Sequence, residues 1–588
     1  MWTVVAVSSL AGCGDMTPKS PQQPKAEILS SDTSEIPATK PNPILPFIPV
    51  RPLNQRQAFG GVSPCFEDSA AALGLVHIYE NGATGQLLMV ESIGGGVGWL
   101  DIDADGFPDA FMVQGGDPDG PLQSQPFDRV FRNRRDTFLD VTEVAGVMER
   151  GYGQGVAVGD FDGDGFDDLY ITNVGENSTY RNNGDGTFID VTQDSGTQER
   201  RWSSSAAWAD LNGDALPELY VCNYLQYDPR DPLHCEKDGR PALCHPRQIE
   251  AWPDELFVNR GDGTFEAAAQ RLGTFGPENK GLGVAIAHFN DDDRPDIYVC
   301  NDTTANFLFI NTGDGFSEQA LGLGVALNAR GDAEASMGVA VGDYDGDGRL
   351  DLYLTHFTNE SNTLYRNIGS AGFRDVTNAV GLYALTMPKL GFGVVMQDFN
   401  CDGHQDIFTA NGHIDHNNAD GDGFEQCPQL LTTQDGMWFD VSQVAGAYFS
   451  ELRVARGVAV ADFDCDGDWD ILTGNQNEAA ALLVNSSQRG HWLKLRLVGV
   501  ASERRGTCAR LTLNFGETTQ FVEMTGGTSF ASSHQPLAIV GLGNSDQSGT
   551  ITIKWPSGIQ QVLRDVKPDR SLIVVENLGL FTDPTSAD

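Results

Sequence analysis

The sequence is poor in basic residues: of its 588 residues, 38 are Lys or Arg and 82 are Asp or Glu, which gives a net charge of −44. This charge makes nucleic acids and anionic lipid headgroups poor partners and divalent cations good ones. The sequence lacks an apolar run of about 18 residues, so no transmembrane helix is predicted. It also lacks a nucleophile elbow, a phosphate-cradling loop and an H-E-x-x-H motif, so no nucleotide cofactor is predicted and an enzyme is not favoured.

Aspartate, by contrast, recurs in one pattern. The motif D-x-[DN]-x-D-G-x-x-[DE], intact or altered, occurs seven times, each copy between two apolar runs, as in Asp160-Phe-Asp162-Gly-Asp164-Gly-Phe-Asp-Asp168. Most copies are spaced by 50 to 64 residues, which fits one four-stranded blade with its turns. The sequence therefore predicts an all-β fold, with a seven-bladed β-propeller over residues 59–488 and metal-binding Asp-rich loops.

The last repeat lacks a fourth strand before the next domain begins. The missing pattern occurs at the other end of the array, where residues 65–75 are similar to residues 138–147. We therefore expect residues near 64–70 to supply the outer strand of the last blade, which would remove a sheet edge and close the ring.

The loop pattern specifies a ligand as well as a turn. Side chains at positions one, three, five and nine can converge on one ion, whereas position seven varies freely and offers only its carbonyl oxygen. Hard oxygen donors in a flexible loop favour Ca²⁺ over Mg²⁺ or Zn²⁺. The EF-hand is excluded because position twelve lacks Glu and the flanks have strand patterns. The alternative is that Asp-Gly turns merely form good hairpins.

The seven copies differ in their acids, so about five to seven calcium sites are expected. Loops one, two, five and seven keep all four acids and should bind best: Asp101, Asp103, Asp105 and Asp109; Asp160, Asp162, Asp164 and Asp168; Asp343, Asp345, Asp347 and Asp351; Asp462, Asp464, Asp466 and Asp470.

Loops six, three and four are weaker by the same criterion. Loop six has one neutral ligand, in the set Asp398, Asn400, Asp402 and Asp406. Loop three has Ala at the position of the turn glycine, with the set Asp210, Asn212, Asp214 and Glu218. Loop four begins with His288 and has Asp293 in place of glycine, which leaves Asn290, Asp292 and Asp296. We expect loop four to be the one that lacks a bound metal ion.

The N-terminal region has the pattern of a processing signal. Residues 1–13 form a short apolar run ending in Leu10-Ala11-Gly12-Cys13, which resembles a bacterial lipobox with Cys13 as the lipidated residue, although Lys and Arg are missing before it and the true start could lie upstream. The alternative is a chance cysteine. Residues 14–58 are Pro-rich and predict an extended tether. A lipid anchor to a membrane would make the chain an extracytoplasmic lipoprotein at the outer membrane or cell surface; otherwise it would be secreted.

Cysteine spacing suggests one disulfide. Cys235 and Cys244 flank a short polar segment in the longest interval between loops, where a bridge would fix the insertion. His234 and His245 lie beside them, so a Zn²⁺ site is the alternative.

The seven loops resemble the FG-GAP or VCBS repeats of integrin-type β-propellers. Residues 489–577 resemble the ASPIC/UnbV domain that follows such propellers in bacterial relatives of cartilage acidic protein 1, and residues 578–588 form a tail. The residues that carry this second resemblance are Trp492–Gly499, Gly526-Gly527 with Ser529-Phe530, Gly541–Gly543, Trp555–Gly558 and Leu572–Glu576. Alternating Leu493, Leu495 and Leu497 also predict a small β-sandwich there. The turn Glu503–Ala509 departs from the family pattern.

The resemblance implies calcium binding together with adhesion or scaffolding, and therefore a protein or glycan ligand at the cell surface. The alternative function is a carbohydrate-active protein, either a lectin or a polysaccharide lyase-like protein acting on extracellular polysaccharide. Trp202, Trp208 and Trp252 would then stack on sugars, but packing in the core is the interpretation that the sequence favours for them. Asn411–His413 with Asp415 and His416 is either a polar site or a solvated loop.

Overall fold

The computed structural model describes residues 59–118, 120–228, 231–237, 239–416 and 423–585. The expectations for residues 1–58, including lipidation of Cys13, lie outside these ranges. Across the described ranges, the helices are too short or too polar to cross a membrane. The all-β fold class is confirmed, because antiparallel strands make up almost all of the regular structure.

Between Phe66 and Asn485, the described residues form seven four-stranded antiparallel sheets, here blades one to seven. Blades one to three are Val97–Leu100, Asp109–Met112, Arg129–Asn133 and Phe138–Asp140; Tyr152–Gly159, Asp168–Val174, Ser178–Asn182 and Phe188–Asp190; and Ser203–Ala209, Glu218–Asn223, Glu255–Asn259 and Phe265–Ala267. Blades four to six are Gly281–Ala287, Asp296–Asn301, Phe307–Asn311 and Phe316–Glu318; Val339–Gly342, Asp351–Leu354, Thr363–Asn367 and Phe373–Asp375; and Gly391–Gln397, Asp406–Asn411, Gln429–Gln434 and Met437–Asp440.

Blade seven combines the two ends of the repeat array. Its first three strands are Ala455–Ala461, Asp470–Asn475 and Ala481–Asn485, and its fourth is Phe66–Asp68, which pairs antiparallel with the third. The first strands of the blades lie side by side in a closed cycle, since that of blade seven contacts that of blade one. The N-terminal strand thus joins the two ends of the array in a single sheet.

Short helices and a hairpin lie in the segments that connect the blade strands. The α-helices are Thr142–Ala145, Thr192–Ser195, Ala269–Leu272, Ala320–Leu323 and Leu382–Thr386. The 3₁₀ helices are Met89–Ser92, Leu122–Ser124, Pro246–Gln248, Gly369–Ala371, Ser442–Val444 and Ala447–Ser450. The hairpin, inserted in blade three, pairs Cys235–Lys237 with Arg240–Ala242.

The C-terminal region is a β-sandwich of two four-stranded sheets. One contains His491–Val498, Ala538–Gly543, Arg570–Val575 and Gly579–Thr582, and the other contains Arg510–Phe515, Thr518–Glu523, Gly549–Lys554 and Gln560–Val566. The alternating leucines of the first strand are buried in a common core with Trp555. The expected tail is shorter than the sequence indicated, because Gly579–Thr582 forms an edge strand of this domain.

Residues 525–537 of the sandwich, here the axial segment, run along the axis of the ring and touch the first strand of every blade. Backbone amides of the blades donate to its carbonyl oxygens, as from Ile286 to Gly526 at 2.6 Å and from Trp99 to Ser533 at 3.0 Å. The remaining contacts involve Val156, Ser205, Val339, Val394 and Val460.

This close approach explains why the first strands are rich in glycine. A Cβ atom on Gly155 would lie 2.7 Å from the Ala531 carbonyl oxygen, and one on Gly96 would lie 2.0 Å from it. Glycine in a strand interior commonly marks such backbone contact. The C-terminal domain is therefore built into the propeller, which the sequence did not indicate.

Candidate metal centres

Each Asp-rich loop joins the first and second strands of its blade, so all seven loops lie at one face of the ring, here the loop face. In loop two the carboxylate of Asp160 accepts a hydrogen bond from the amide of Gly165 at 2.9 Å, and Gly165 has φ +96°. Glycine adopts this left-handed conformation without steric cost. Ala215 in loop three adopts the same left-handed conformation, with φ 71°, and its side chain causes the steric strain that glycine avoids.

The aspartate at position nine has a structural role in addition to its charge. Asp168 accepts hydrogen bonds from the amides of Phe161, at 3.0 Å, and Asn182, at 2.8 Å. The equivalent residues Asp109, Asp296, Asp351 and Asp470 accept the same pair of bonds. Because loop four keeps this arrangement despite its altered acids, position nine supports the turn even where metal ligands are missing.

Four loops bring three carboxylates together, with their ligand atoms all within 4.8 Å of one another. The groups are Asp101, Asp103 and Asp109; Asp160, Asp162 and Asp168; Asp343, Asp345 and Asp347; and Asp462, Asp464 and Asp470. These are the four loops that the sequence ranked highest. In each loop, the fourth expected acid is not part of the group. This acid is at position nine in loop five and at position five in the other three loops.

A cation fits these groups. Among the described residues, one carboxylate oxygen of each of Asp103, Asp160 and Asp462 is buried without a hydrogen-bond partner. Burial raises the pKa of both Asp101 and Asp160 to about 7. A buried carboxylate with an unpaired oxygen is costly unless a positive charge lies beside it. The donors are all hard oxygens, the set that Ca²⁺ prefers.

Basic side chains contact three of the four groups. Arg132 pairs with Asp103, Arg366 lies 2.5 Å from Asp345, and Lys494 lies 2.7 Å from Asp462. Within the described ranges, the three acids of loop two have no such ion pair. Of the four loops with grouped acids, loop two therefore has the fewest basic side chains of the protein to neutralise them.

In loops three and four, polar and basic groups of the protein itself pair with the loop side chains. In loop three, the amide of Asn212 donates to Glu218 at 2.8 Å. In loop four, Arg294 pairs with Asp292, and His288 lies 2.8 Å from Glu523 of the sandwich. Loop six holds Asp398, whose pKa burial raises to about 8, but the described acids there do not form a group of three. The low ranking of loops three and four remains a prediction.

The β-sandwich lies over the loop face. Besides Lys494 and Glu523, its Arg505 pairs with Asp167, at position eight of loop two, and Arg510 pairs with Asp293 of loop four. Arg505 belongs to the turn that departs from the family pattern, which the carboxylate of Glu503 braces by accepting from the Arg505 and Thr507 amides. Sequence reasoning missed these contacts, since residues from a later domain carry no repeat signal.

A second missed group is the asparagine that ends the third strand of most blades. Asn182 donates to the carbonyl of Ile102 in the preceding blade at 3.1 Å. The same bond to the preceding blade is made by Asn133, Asn259, Asn311, Asn367 and Asn485. The recurring Arg-Asn and Val-Asn pairs in the sequence could have revealed this link.

Other candidates take different places. Cys235 and Cys244 form a disulfide in the blade-three hairpin. Trp202 and Trp208 are buried in the core, as the favoured interpretation of them predicts, so these two do not form the alternative sugar-stacking surface. His413 is buried, and its ring packs against Phe357 with centroids 5.0 Å apart.

Comparisons with known families identify both the repeats and the C-terminal domain. Residues 499–579 match the family described as ASPIC and UnbV. Residues 101–171, 160–221, 288–354 and 345–409 match the FG-GAP-like repeat, and together these matches cover more than half of the chain. The chain is an FG-GAP repeat protein with an ASPIC and UnbV domain. Its Asp-rich loops are thus the FG-GAP loops, and the axial segment belongs to the ASPIC and UnbV domain.

Among curated proteins, this FG-GAP protein is similar to cartilage acidic protein 1. It is 27% identical to the human protein over 58% of this chain and 50% of that protein, and 27% identical to the Xenopus tropicalis protein over 47% and 42%. The chain thus spans about half the length of these relatives. Similar solved structures include an Agrocybe aegerita lectin, with a TM-score of 0.36 and 16% identity over 66% of this chain and 87% of that chain. Another is YCF48 from Cyanidioschyzon merolae, with a TM-score of 0.35 and 8% identity over 67% of this chain and 95% of that chain.

Proposed function

We propose that this FG-GAP protein is an extracytoplasmic scaffold whose propeller is stabilised by Ca²⁺ and which binds a protein or glycan partner at the cell surface. The observation that carries the proposal is the convergence of three carboxylates in each of four loops, with unpaired buried oxygens in three of them. The disulfide agrees with an oxidising compartment.

The role of the ion follows from the position of the loops. Each loop links the innermost strand of a blade to its neighbour, at the face where the sandwich packs. A bound cation would neutralise acids that otherwise repel one another, by about 4 kcal/mol for two charges 4 Å apart at an effective dielectric of 20. The ion would therefore stiffen the ring and hold the interface between the two domains in shape.

Thermal melting of the full chain in 10 mM Ca²⁺ and in chelator tests the metal role. Sites with a dissociation constant of about 10⁻⁴ to 10⁻³ M would each contribute roughly 1–3 kcal/mol at that concentration. We expect the melting temperature to rise by several degrees with Ca²⁺. An unchanged melting temperature would overturn the proposal.

Loop two offers the sharpest variant. Asp162→Asn keeps the shape of the side chain but removes one charge of the uncompensated group, so calorimetric titration should find one Ca²⁺ site fewer than in the wild type. Asp194→Asn is the matched control, because Asp194 is an exposed acid of the same blade outside the loop. Equal stoichiometry in both variants would place the ion elsewhere.

A further inference from the structure

The ring has a cavity at its axis on the face opposite the metal loops. Its volume is about 540 Å³, within the usual range of ligand pockets. Its lining residues come from segments that follow the second strand of a blade, such as Tyr224, Asp302 and Phe357, or precede the first, such as Ser92 and Met337. These segments lie at the strand ends remote from the Asp-rich loops. Because the sandwich covers the loop face, this is the face left for a partner.

The floor of the cavity is apolar and buried. Buried side chains that share one core cluster with Phe530 of the axial segment form it: Met89, Ile93, Leu282, Met337 and Phe392. Arg456 is fully buried behind this floor and donates to the carbonyls of Ser92 and Gly412, both at 2.9 Å. These bonds join the segment before blade one to blades six and seven, so the floor is tied to both ends of the repeat array.

The wall is polar and mostly acidic. It contains four carboxylate residues and one lysine: Asp302, Glu236, Glu360, Asp415 and Lys237. Asp302 accepts a hydrogen bond from the Tyr224 hydroxyl, and Glu360 accepts one from the amide of Ala335 at 2.8 Å. The disulfide-bonded hairpin forms one side, through both of its cysteines.

Two wall residues have hydroxyl groups that lack a hydrogen-bond partner among the described residues, Thr303 and Thr358. Thr358 is only 4% exposed. Thr303 and its wall neighbour Asn359 also hold the left-handed backbone conformation, with φ of 59° and 68°. Buried hydroxyls usually find partners, and strained non-glycine residues cluster at ligand sites. Both residues line the cavity, so rotation about the Cα–Cβ bond of either threonine would turn its buried hydroxyl toward a ligand that supplies hydroxyl groups.

We infer that this axial cavity binds a neutral sugar unit of an extracellular glycan. The apolar floor and the half-buried ring of Phe357 fit the C–H face of a sugar, while the two threonines and the carboxylates of Asp302 and Glu360 meet its hydroxyls. The inference rests on the proposed function and specifies the partner of that scaffold.

The charge of the wall selects among ligands. Four carboxylates and one lysine line the wall. Although Arg247 and Lys280 lie near enough to Asp302 to lower its pKa, the carboxylates outnumber these cations in a chain of net charge −44, which disfavours uronic acids, sialic acids and acidic peptides. A purely apolar ligand would displace water from the carboxylates without replacing its hydrogen bonds and would leave the threonine hydroxyls unpaired, which is costly. A neutral sugar has both the apolar face and the hydroxyl groups, without a charge.

Calorimetric titration of the full chain in Ca²⁺ tests the inference, with cello-, xylo-, malto- and chito-oligosaccharides as neutral probes and oligogalacturonate as the acidic one. We expect at least one neutral probe to bind and the acidic probe to fail. Phe357→Ala should weaken that binding at least about tenfold, and Thr358→Val, which keeps the side-chain shape, about three- to tenfold. Phe581→Ala, on the exposed edge strand of the sandwich, is the matched control and should change nothing.

Binding of none of the neutral probes, preference for the acidic probe, or equal binding by Phe357→Ala, Thr358→Val and wild type would each overturn the inference. Retention of the Ca²⁺-dependent rise in melting temperature in the same samples would show that the scaffold proposal stands without it. If a peptide binds in a way that depends on Phe357 and no sugar does, the cavity is a protein-binding site. The inference then fails, while the scaffold proposal survives.

Discussion

At the scale of single residues, the blades repeat a hydrogen bond with two different side chains. Asn177, Asn306 and Asn362 accept a bond from the backbone amide at the end of the second strand, at 2.8, 2.8 and 3.0 Å. Blade three has Asp254 in this role, accepting from the Asn223 amide at 2.7 Å and from the Tyr220 hydroxyl at 2.8 Å. An acid and an amide thus serve the same geometry.

The acid makes blade three sensitive to pH. Burial raises the pKa of Asp254 from 3.8 to about 7. A raised folded-state pKa means that the stability contribution is present at low pH and is lost as the pH rises through about 7. Between pH 5 and pH 8 the wild type should therefore lose roughly 2 kcal/mol through this residue.

Asp254→Asn should remove that loss, because asparagine serves the other blades and the Tyr220 hydroxyl can turn to accept from it. Denaturant unfolding in excess Ca²⁺ should find the variant more stable relative to wild type at pH 8 than at pH 5. The exposed-site variant Asp194→Asn should show the same difference from wild type at both values. An Asp254→Asn variant whose difference from wild type is independent of pH would contradict the assignment.

At the scale of structural elements, the links between blades depend on the asparagine that ends the third strand. Asn182 donates from its buried amide to Ile102 of blade one and to Asp167 of its own blade. Asn182→Ala leaves these buried carbonyls unpaired, so we expect a loss of about 1–3 kcal/mol in the free energy of unfolding.

The adjacent residue provides the control for this prediction. Asn183 lies in the exposed turn, and its side-chain amide bonds Thr187 and no other residue of the described ranges. Asn183→Ala should change the unfolding free energy by less than about 0.5 kcal/mol. Equal effects of the two alanine variants would mean that the inter-blade bond contributes little to stability.

The repeat made the blades predictable, whereas contacts between distant parts of the chain were not. The Asp-rich loops and the small residues of Gly155–Gly159 recur with the blade, so both the sheets and the acid clusters follow from spacing. Lys494, Glu523 and Arg505 reach the loops from a later domain and repeat nowhere. Convergence of three acids rather than four depends on side-chain positions that a pattern does not specify.

At the scale of the whole molecule, the axial segment gives the two domains a shared core. Phe530 belongs by sequence to the ASPIC and UnbV domain, yet it is fully buried in a propeller cluster with Phe392, the ring centroids 5.1 Å apart. The segment also bonds the first strand of each blade, so separation of the domains would expose backbone groups around the entire axis.

We therefore expect calorimetry of the full chain to show one unfolding transition for propeller and sandwich together. Phe530→Ala should lower its temperature by creating a cavity that costs about 3–5 kcal/mol, and hydrogen exchange should accelerate in both domains. Phe581→Ala, half exposed in the same domain, should leave both unchanged. Two separate transitions, with only the sandwich responding to Phe530→Ala, would show that the axial segment is an attachment and not a shared core. A single shared transition would mean that the sandwich, through Phe530, determines how firmly the ring holds the axial cavity and the metal loops in place.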